Sequence, residues 1–123
     1  MRQSYRLIRP SDGQVVAGEI QRIQGVLNSG KGLLGKSELR EGHGIHLLKC
    51  NSIHTFFMGF DIDVIVLDHS NVVLKTVERL KPYRIVIGGR GGKSIVELPS
   101  GTVSRGGIKV GEQLEFVLNF SKR

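Results

Sequence analysis

Hydrophobic residues in this chain recur mostly at every second position, and the runs that carry this period are short and broken by glycine, asparagine, aspartate and proline. A period of two sends alternate side chains to opposite faces of an extended strand, whereas a helix needs spacings of three and four. "YRLIR" at 5–9 alternates, "SDGQ" at 11–14 is a turn signal and "VVAGEIQRI" at 15–23 resumes the pattern, so the N-terminus reads as a hairpin. "DVIVLD" at 63–68, "HSN" at 69–71 and "VVLKTVERL" at 72–80 make a second hairpin. "RIVI" at 84–87, "KSIVEL" at 93–98 and "QLEFVLNF" at 113–120 add three further strands. Helical signal is confined to "GVLNSGKGLLGKSEL" at 25–39, a broken or one-turn pair, and "SGTVSRGG" at 100–107, a single turn capped by Gly106. Neither is long enough to carry a βαβ crossover, so an all-β fold is expected rather than a parallel α/β sheet. The expected fold is therefore mainly β: a β-barrel or β-sandwich with one or two short helices, built as a single domain over residues 1–123.

Composition bounds the function classes. The chain has 18 Lys and Arg against 11 Asp and Glu, a formal charge of +7, but the basic residues are scattered and form no consecutive block. Single-stranded nucleic acid needs basic residues clustered in space with aromatic platforms between them, and only 6% of residues are aromatic with no Trp. Nucleic-acid binding is thus a minor alternative, which predicts that Lys75, Arg79, Lys81, Arg84, Arg90 and Lys93 converge on one face. Cys50 is the only cysteine, which excludes an internal disulfide and a thiol-rich metal site. No run approaches the length of a membrane span, and "MRQSYRLIRP" has no apolar stretch behind its basic residues, so a cytoplasmic protein is expected.

The stretch "VIGGRGGKSIVELPSG" at 86–101 invites a phosphate-loop reading. The spacing rejects it, because the position five residues before Gly92 must be glycine and is Ile87. The context rejects it too, since Ser94 leads into the strand-like "IVELP" and not into a helix whose N–H groups could face phosphates. A glycine-rich hairpin connection explains the stretch.

The denser chemistry lies at 44–63, "GIHLLKCNSIHTFFMGFDID". His46, His54 and Asp61 or Asp63 could be metal ligands, but no HxH or HxxxH pair occurs, so no metal or other cofactor is expected. Cys50 with His54 is conceivable as a nucleophile pair, although a free cysteine is more often an inert core residue. Asp61 and Asp63 could work as paired carboxylates or simply begin a strand.

Four separated blocks occur in a fixed order: "KGLLGKSEL" at 31–39, the whole of 44–68, "VVLKTVERLKPYR" at 72–84 and "SIVELPSGTVSRGGIKVGEQLEF" at 94–116. In these the chain resembles the prokaryotic domain-of-unknown-function family 192. The resemblance implies a small β-rich barrel or sandwich with a short helical insertion near the GLL block, and it implies no activity. The family's most recognisable residues map onto Gly32, Leu33, His54, Thr55, Met58, Asp63, Glu97, Leu98 and Gly101. Of these, Gly32 and Gly101, together with Gly44 and Gly111, are best explained as turn formers and Leu98 and Met58 as core.

Polar groups among apolar strand residues must find partners or line a pocket. The expectation is a non-enzymatic binding or accessory β domain, its partner a small molecule or a protein, with candidate ligand-binding residues His54, Thr55, Met58, Asp63 and Glu97. The competing class is a hydrolase or lyase that uses His54 with Asp63 or Glu97 as acid and base. It requires the histidine and a carboxylate to face one open cleft.

Overall fold

The computed structural model describes residues 3–24, 39–56 and 59–120. In chain order the elements are β1 Tyr5–Arg9, β2 Gln14–Gln24, β3 His43–Leu48, β4 Ser52–His54, β5 Ile62–Leu67, β6 Val73–Leu80, β7 Ile85–Ile87, β8 Ser94–Pro99, α1 Thr102–Gly106 and β9 Glu115–Leu118. Both expected hairpins form, β1 with β2 and β5 with β6, each antiparallel with a local shift of register. The expected helix pair at 25–39 falls, but for Leu39, outside the described residues.

Seven strands make one sheet in the order β6-β5-β8-β3-β2-β1-β9, and β4 pairs with β7 in a separate two-stranded ribbon. The protein is mainly β, as the period-two pattern requires, but the large sheet does not close into a barrel. Among the described residues its two edges approach through the segments just before β6 and β9, where Val72 bridges Gln113 and Leu114 N–H donates to Asn71 O at 2.9 Å. One pair departs from the antiparallel scheme: β2 and β3 run parallel from Glu19↔His43 to Gln24↔Leu48. A parallel return needs about a dozen residues or more but no helix of a set length, and residues 25–42 meet that need.

The central strands are buried on both faces, which is why β5, "IDVIVL", is apolar at every position but Asp63. Alternation then sorts the core into two layers. Ile65, Leu67, Val96, Leu98, Ile20 and Leu7 point to one side, the inner face, where Val103 of α1 joins them. Ile62, Val64, Val66, Ile95, Ile45 and Leu47 point to the other, where Ile53 and Val86 of the ribbon cover them. Each fully buried side chain of this kind contributes about 1.5–3 kcal/mol.

Three glycine expectations change. Gly44 lies inside β3 and is not a turn former: a Cβ there would sit 2.7 Å from Ile20 Cδ1 and 2.9 Å from Glu97 O, so the close approach of three strands excludes any side chain. The stretch at 88–92 is not a hairpin connection, because β7 belongs to the ribbon and β8 to the large sheet. Its path is fixed from outside, by Asn51 Nδ2 donating to Gly89 O at 2.9 Å and to Gly92 O at 2.8 Å. The residue that closes α1 in the left-handed conformation is Gly107, one beyond the expected Gly106.

Candidate functional site

Asp63 and Glu97 lie on adjacent central strands one rung apart, since Asp63 pairs with Leu98 and Val64 with Glu97. The offset of one residue sends the two carboxylates to opposite faces of the sheet. Asp63, fully buried at 0% exposure, sits on the inner face. Its Oδ1 accepts from Arg79 N–H at 2.9 Å, and its Oδ2 accepts from Gly101 N–H at 3.0 Å and Val103 N–H at 2.8 Å. The N-cap of α1 is Gly101, which has no side chain to offer. Asp63 supplies that cap from another strand and ties β6, β5 and α1 together.

Glu97 is equally sealed, at 1% exposure, on the ribbon-covered face between Ile45 and Val64. Its Oε2 has no hydrogen-bond partner among the described residues. Burial pushes its carboxyl up to about 7, because no donor or cation among the described residues offsets the loss of water.

Thr55 is buried beside the ribbon and holds the 81–84 turn from both sides. Its Oγ1 donates to Lys81 O at 2.7 Å and accepts from Arg84 N–H at 2.8 Å. His54 is half-buried in β4, and alternation turns it away from the core that its neighbour Ile53 enters. It lies against Phe56 at 5.0 Å, and Phe56 against Tyr83 at 6.0 Å. With Tyr83 64%, Ile85 63% and Ile87 62% exposed, this is the outer surface of the ribbon. His54 is thus separated from Glu97 by the ribbon itself and from Asp63 by the sheet as well. Met58 lies outside the described residues.

A third polar group joins His46, expected only as a possible metal ligand, to Arg22, which the sequence did not single out. Arg22 of β2 stands opposite His46 of β3 in the parallel pair, and its Nε donates to His46 Nδ1 at 3.3 Å. The other ring nitrogen, Nε2, is 2.8 Å from Ser94 Oγ. Guanidinium can only donate, so Nδ1 is the acceptor and the proton of the neutral ring is on Nε2, directed at the hydroxyl. That polarity is the reverse of a serine-activating base. Burial and the neighbouring Arg22 charge hold His46 down to about 3, so the ring stays neutral. The only sequence signal was an arginine two residues beyond Ile20, on the inward side of a strand, and the parallel pairing that gives it a partner was invisible.

Among the described residues no three His, Cys, Asp or Glu side chains come together as a metal site, and no helix is long and apolar enough to cross a membrane. Cys50 is buried, and its thiol donates to Ser52 O at 3.1 Å. The six basic residues named above are all exposed. Three are already engaged: Lys81 pairs with Asp61 at 3.0 Å, Lys75 donates to Ile87 O at 3.2 Å, and Arg84 donates to Pro82 O and Tyr83 O at 3.4 Å each.

The fold and these groups define a small β protein: a mixed, incompletely curled sheet with an apolar layer on each face, Asp63, His46 and Ser94 set into one layer and Glu97 into the other. The chain belongs to the family described as DUF192, Uncharacterized ACR, whose model matches residues 8–116. It is 37% identical over 65 residues to a UPF0127 protein of Thermococcus sibiricus, spanning 53% of this chain and 42% of that one. A UPF0127 protein of Pyrococcus furiosus is 40% identical over 65 residues, 53% of this chain and 55% of that one. The chain thus matches about half the length of these relatives. Two solved structures share the fold. One, from Sinorhizobium meliloti and described provisionally as a transcription regulator, has a TM-score of 0.80 at 19% identity over 94% of each chain. The other, a protein of unknown function from Novosphingobium aromaticivorans, has a TM-score of 0.78 at 18% identity over 92% of this chain and 84% of that one.

Proposed function

We propose that this chain is a non-enzymatic ligand-binding domain, and that Glu97 is the group on which its ligand is recognised. The observation that carries the reading is the Oε2 of a sealed carboxyl among apolar side chains, to which no described residue donates. Native proteins leave few buried polar atoms unsatisfied, and each calls for an explanation. A carboxyl near its half-protonated point at neutral pH can accept from, or donate to, one hydroxyl or amine. Its setting favours a compact, largely apolar molecule carrying one such group. The acid–base alternative loses support, because His54 faces away from both carboxylates and the ring that does meet a hydroxyl, His46, points its proton at it.

Protein with 13C-labelled glutamate tests the reading when titrated with a panel of metabolites, sugars and nucleotides. The expected result is a saturable change at the Glu97 carboxyl with at least one compound, absent in Glu97→Leu. No change at Glu97 with any compound would overturn it.

A further inference from the structure

The cluster around Arg22 lies on the face of the sheet opposite Glu97 and borders an open recess of about 290 Å³ beside β9. We propose that this recess binds a small organic anion, with Arg22 taking its carboxylate. The inference does not rest on the reading of Glu97.

The first support is how Arg22 is held. Its guanidinium carbon lies 4.0 Å from the Tyr5 ring centroid and 4.9 Å from that of Phe116. His46 stacks on Phe116 at 4.1 Å with an interplanar angle of 5° and receives the Arg22 Nε–H at 3.3 Å. His46 is in turn held by Ser94 at 2.8 Å. Three side chains therefore hold one flexible arginine, a fourth holds His46, and the entropy of ordering a long side chain is met before any ligand arrives.

The second support is what Arg22 lacks. Arg9 pairs with Glu112 at 2.7 Å and Arg105 with Glu41 at 3.6 Å. Arg22 has no carboxylate within ion-pair distance among the described residues, and its terminal Nη atoms make no hydrogen bond to them. The contact through Nε leaves those atoms as a planar fork at an exposed position. A planar carboxylate matches such a fork bidentately, and the aromatic rings on the guanidinium carry no charge that would compete.

The recess supplies the rest of a site. Asn71 and Gln113 line it with amides, Ser70 adds a hydroxyl, and Phe116 forms an apolar wall. Its volume admits roughly ten water-sized groups at about 30 Å³ each, the size of a small organic acid. Two acids are near. Glu115 lines the recess but projects from β9 opposite to Phe116, and Asp68 turns its Oδ1 onto the N–H groups of Ser70 and Val72.

The test follows the Arg22 Nε–H resonance of 15N-labelled protein during titration with succinate, citrate and inorganic phosphate, with chloride at matched ionic strength as the control. The expected result is a saturable shift with succinate or citrate and none with chloride. In Arg22→Lys, which keeps charge but loses the fork, carboxylate affinity should fall by about tenfold or more, read from the shifts of Phe116 and Asn71. A thermal melt of the variant checks that it folds, and Gln113→Ala provides a second variant that leaves the arginine clamp intact and should weaken binding several-fold. A response to phosphate alone, equal carboxylate affinity in wild type and Arg22→Lys, or no saturable shift in the wild type would each overturn the proposal.

Discussion

Asp63 and Glu97 are two carboxyls on neighbouring strands, buried to the same degree, and their surroundings could hardly differ more. Asp63 receives three backbone N–H groups and holds three elements together. Glu97 has an oxygen with no donor among the described residues, and desolvation acts on it unopposed. Burial therefore says little about what a polar residue does. The donors that reach it decide, and they come from segments distant in the chain: Arg79, Gly101 and Val103 for Asp63.

If Asp63 is a framework group, Asp63→Ala should destabilise the fold by about 4 kcal/mol, because three backbone N–H groups, that of Val103 buried and those of Arg79 and Gly101 part-buried, lose their acceptor. Urea unfolding measures this. A loss under about 1 kcal/mol would erase the contrast with Glu97.

Glu97 should show the opposite sign. Its folded value is raised to about 7 from a usual 4.5, so its favourable contribution is complete below about pH 4.5 and is lost as pH rises through about 7. The loss approaches about 3 kcal/mol. Glu97→Gln should therefore stabilise the protein at pH 8 while changing little at pH 4.5, and a destabilised variant at pH 8 would show that the carboxylate has a partner after all.

His46 sharpens the same comparison by working against Glu97. Its value is lowered to about 3, so its contribution is complete above about pH 6.5 and is lost as pH falls. Between about pH 4.5 and 6.5 the two slopes oppose each other. In Glu97→Gln only the histidine slope remains, and stability should rise with pH across that window. Its 15N shifts should report a neutral ring protonated on Nε2 down to pH 5.

The smallest effect belongs to Thr55. Thr55→Val removes one acceptor and one donor on the 81–84 turn and should cost about 1–2 kcal/mol at any pH between 5 and 8, by urea unfolding. A pH-dependent loss would mean that the turn is coupled to the Glu97 face.

Much of the fold was legible in local pattern. The alternation in "YRLIR" and "VVLKTVERL", the turn residues between runs and the glycines that follow α1 each act within a few residues, so they can be read from neighbours alone. The site was legible only as a set of residue types. Asp63, Glu97 and Thr55 stood out as polar residues in apolar company, but whether each would be satisfied depended on strands whose pairing no local spacing reveals. His54 looked equivalent to them and came to lie on the outer surface of the ribbon. Arg22 did not stand out at all, because its meaning comes from a parallel neighbour and from Tyr5 and Phe116 on two other strands.

The sequence by itself determined that this is a β protein of short strands with polar groups set among apolar ones, since side-chain alternation and turn chemistry are properties of adjacent residues. Only the tertiary structure decided which face each polar group occupies and who its partners are. Register converts a shift of one residue into a change of face, and it is set by hydrogen bonds between segments far apart in the chain.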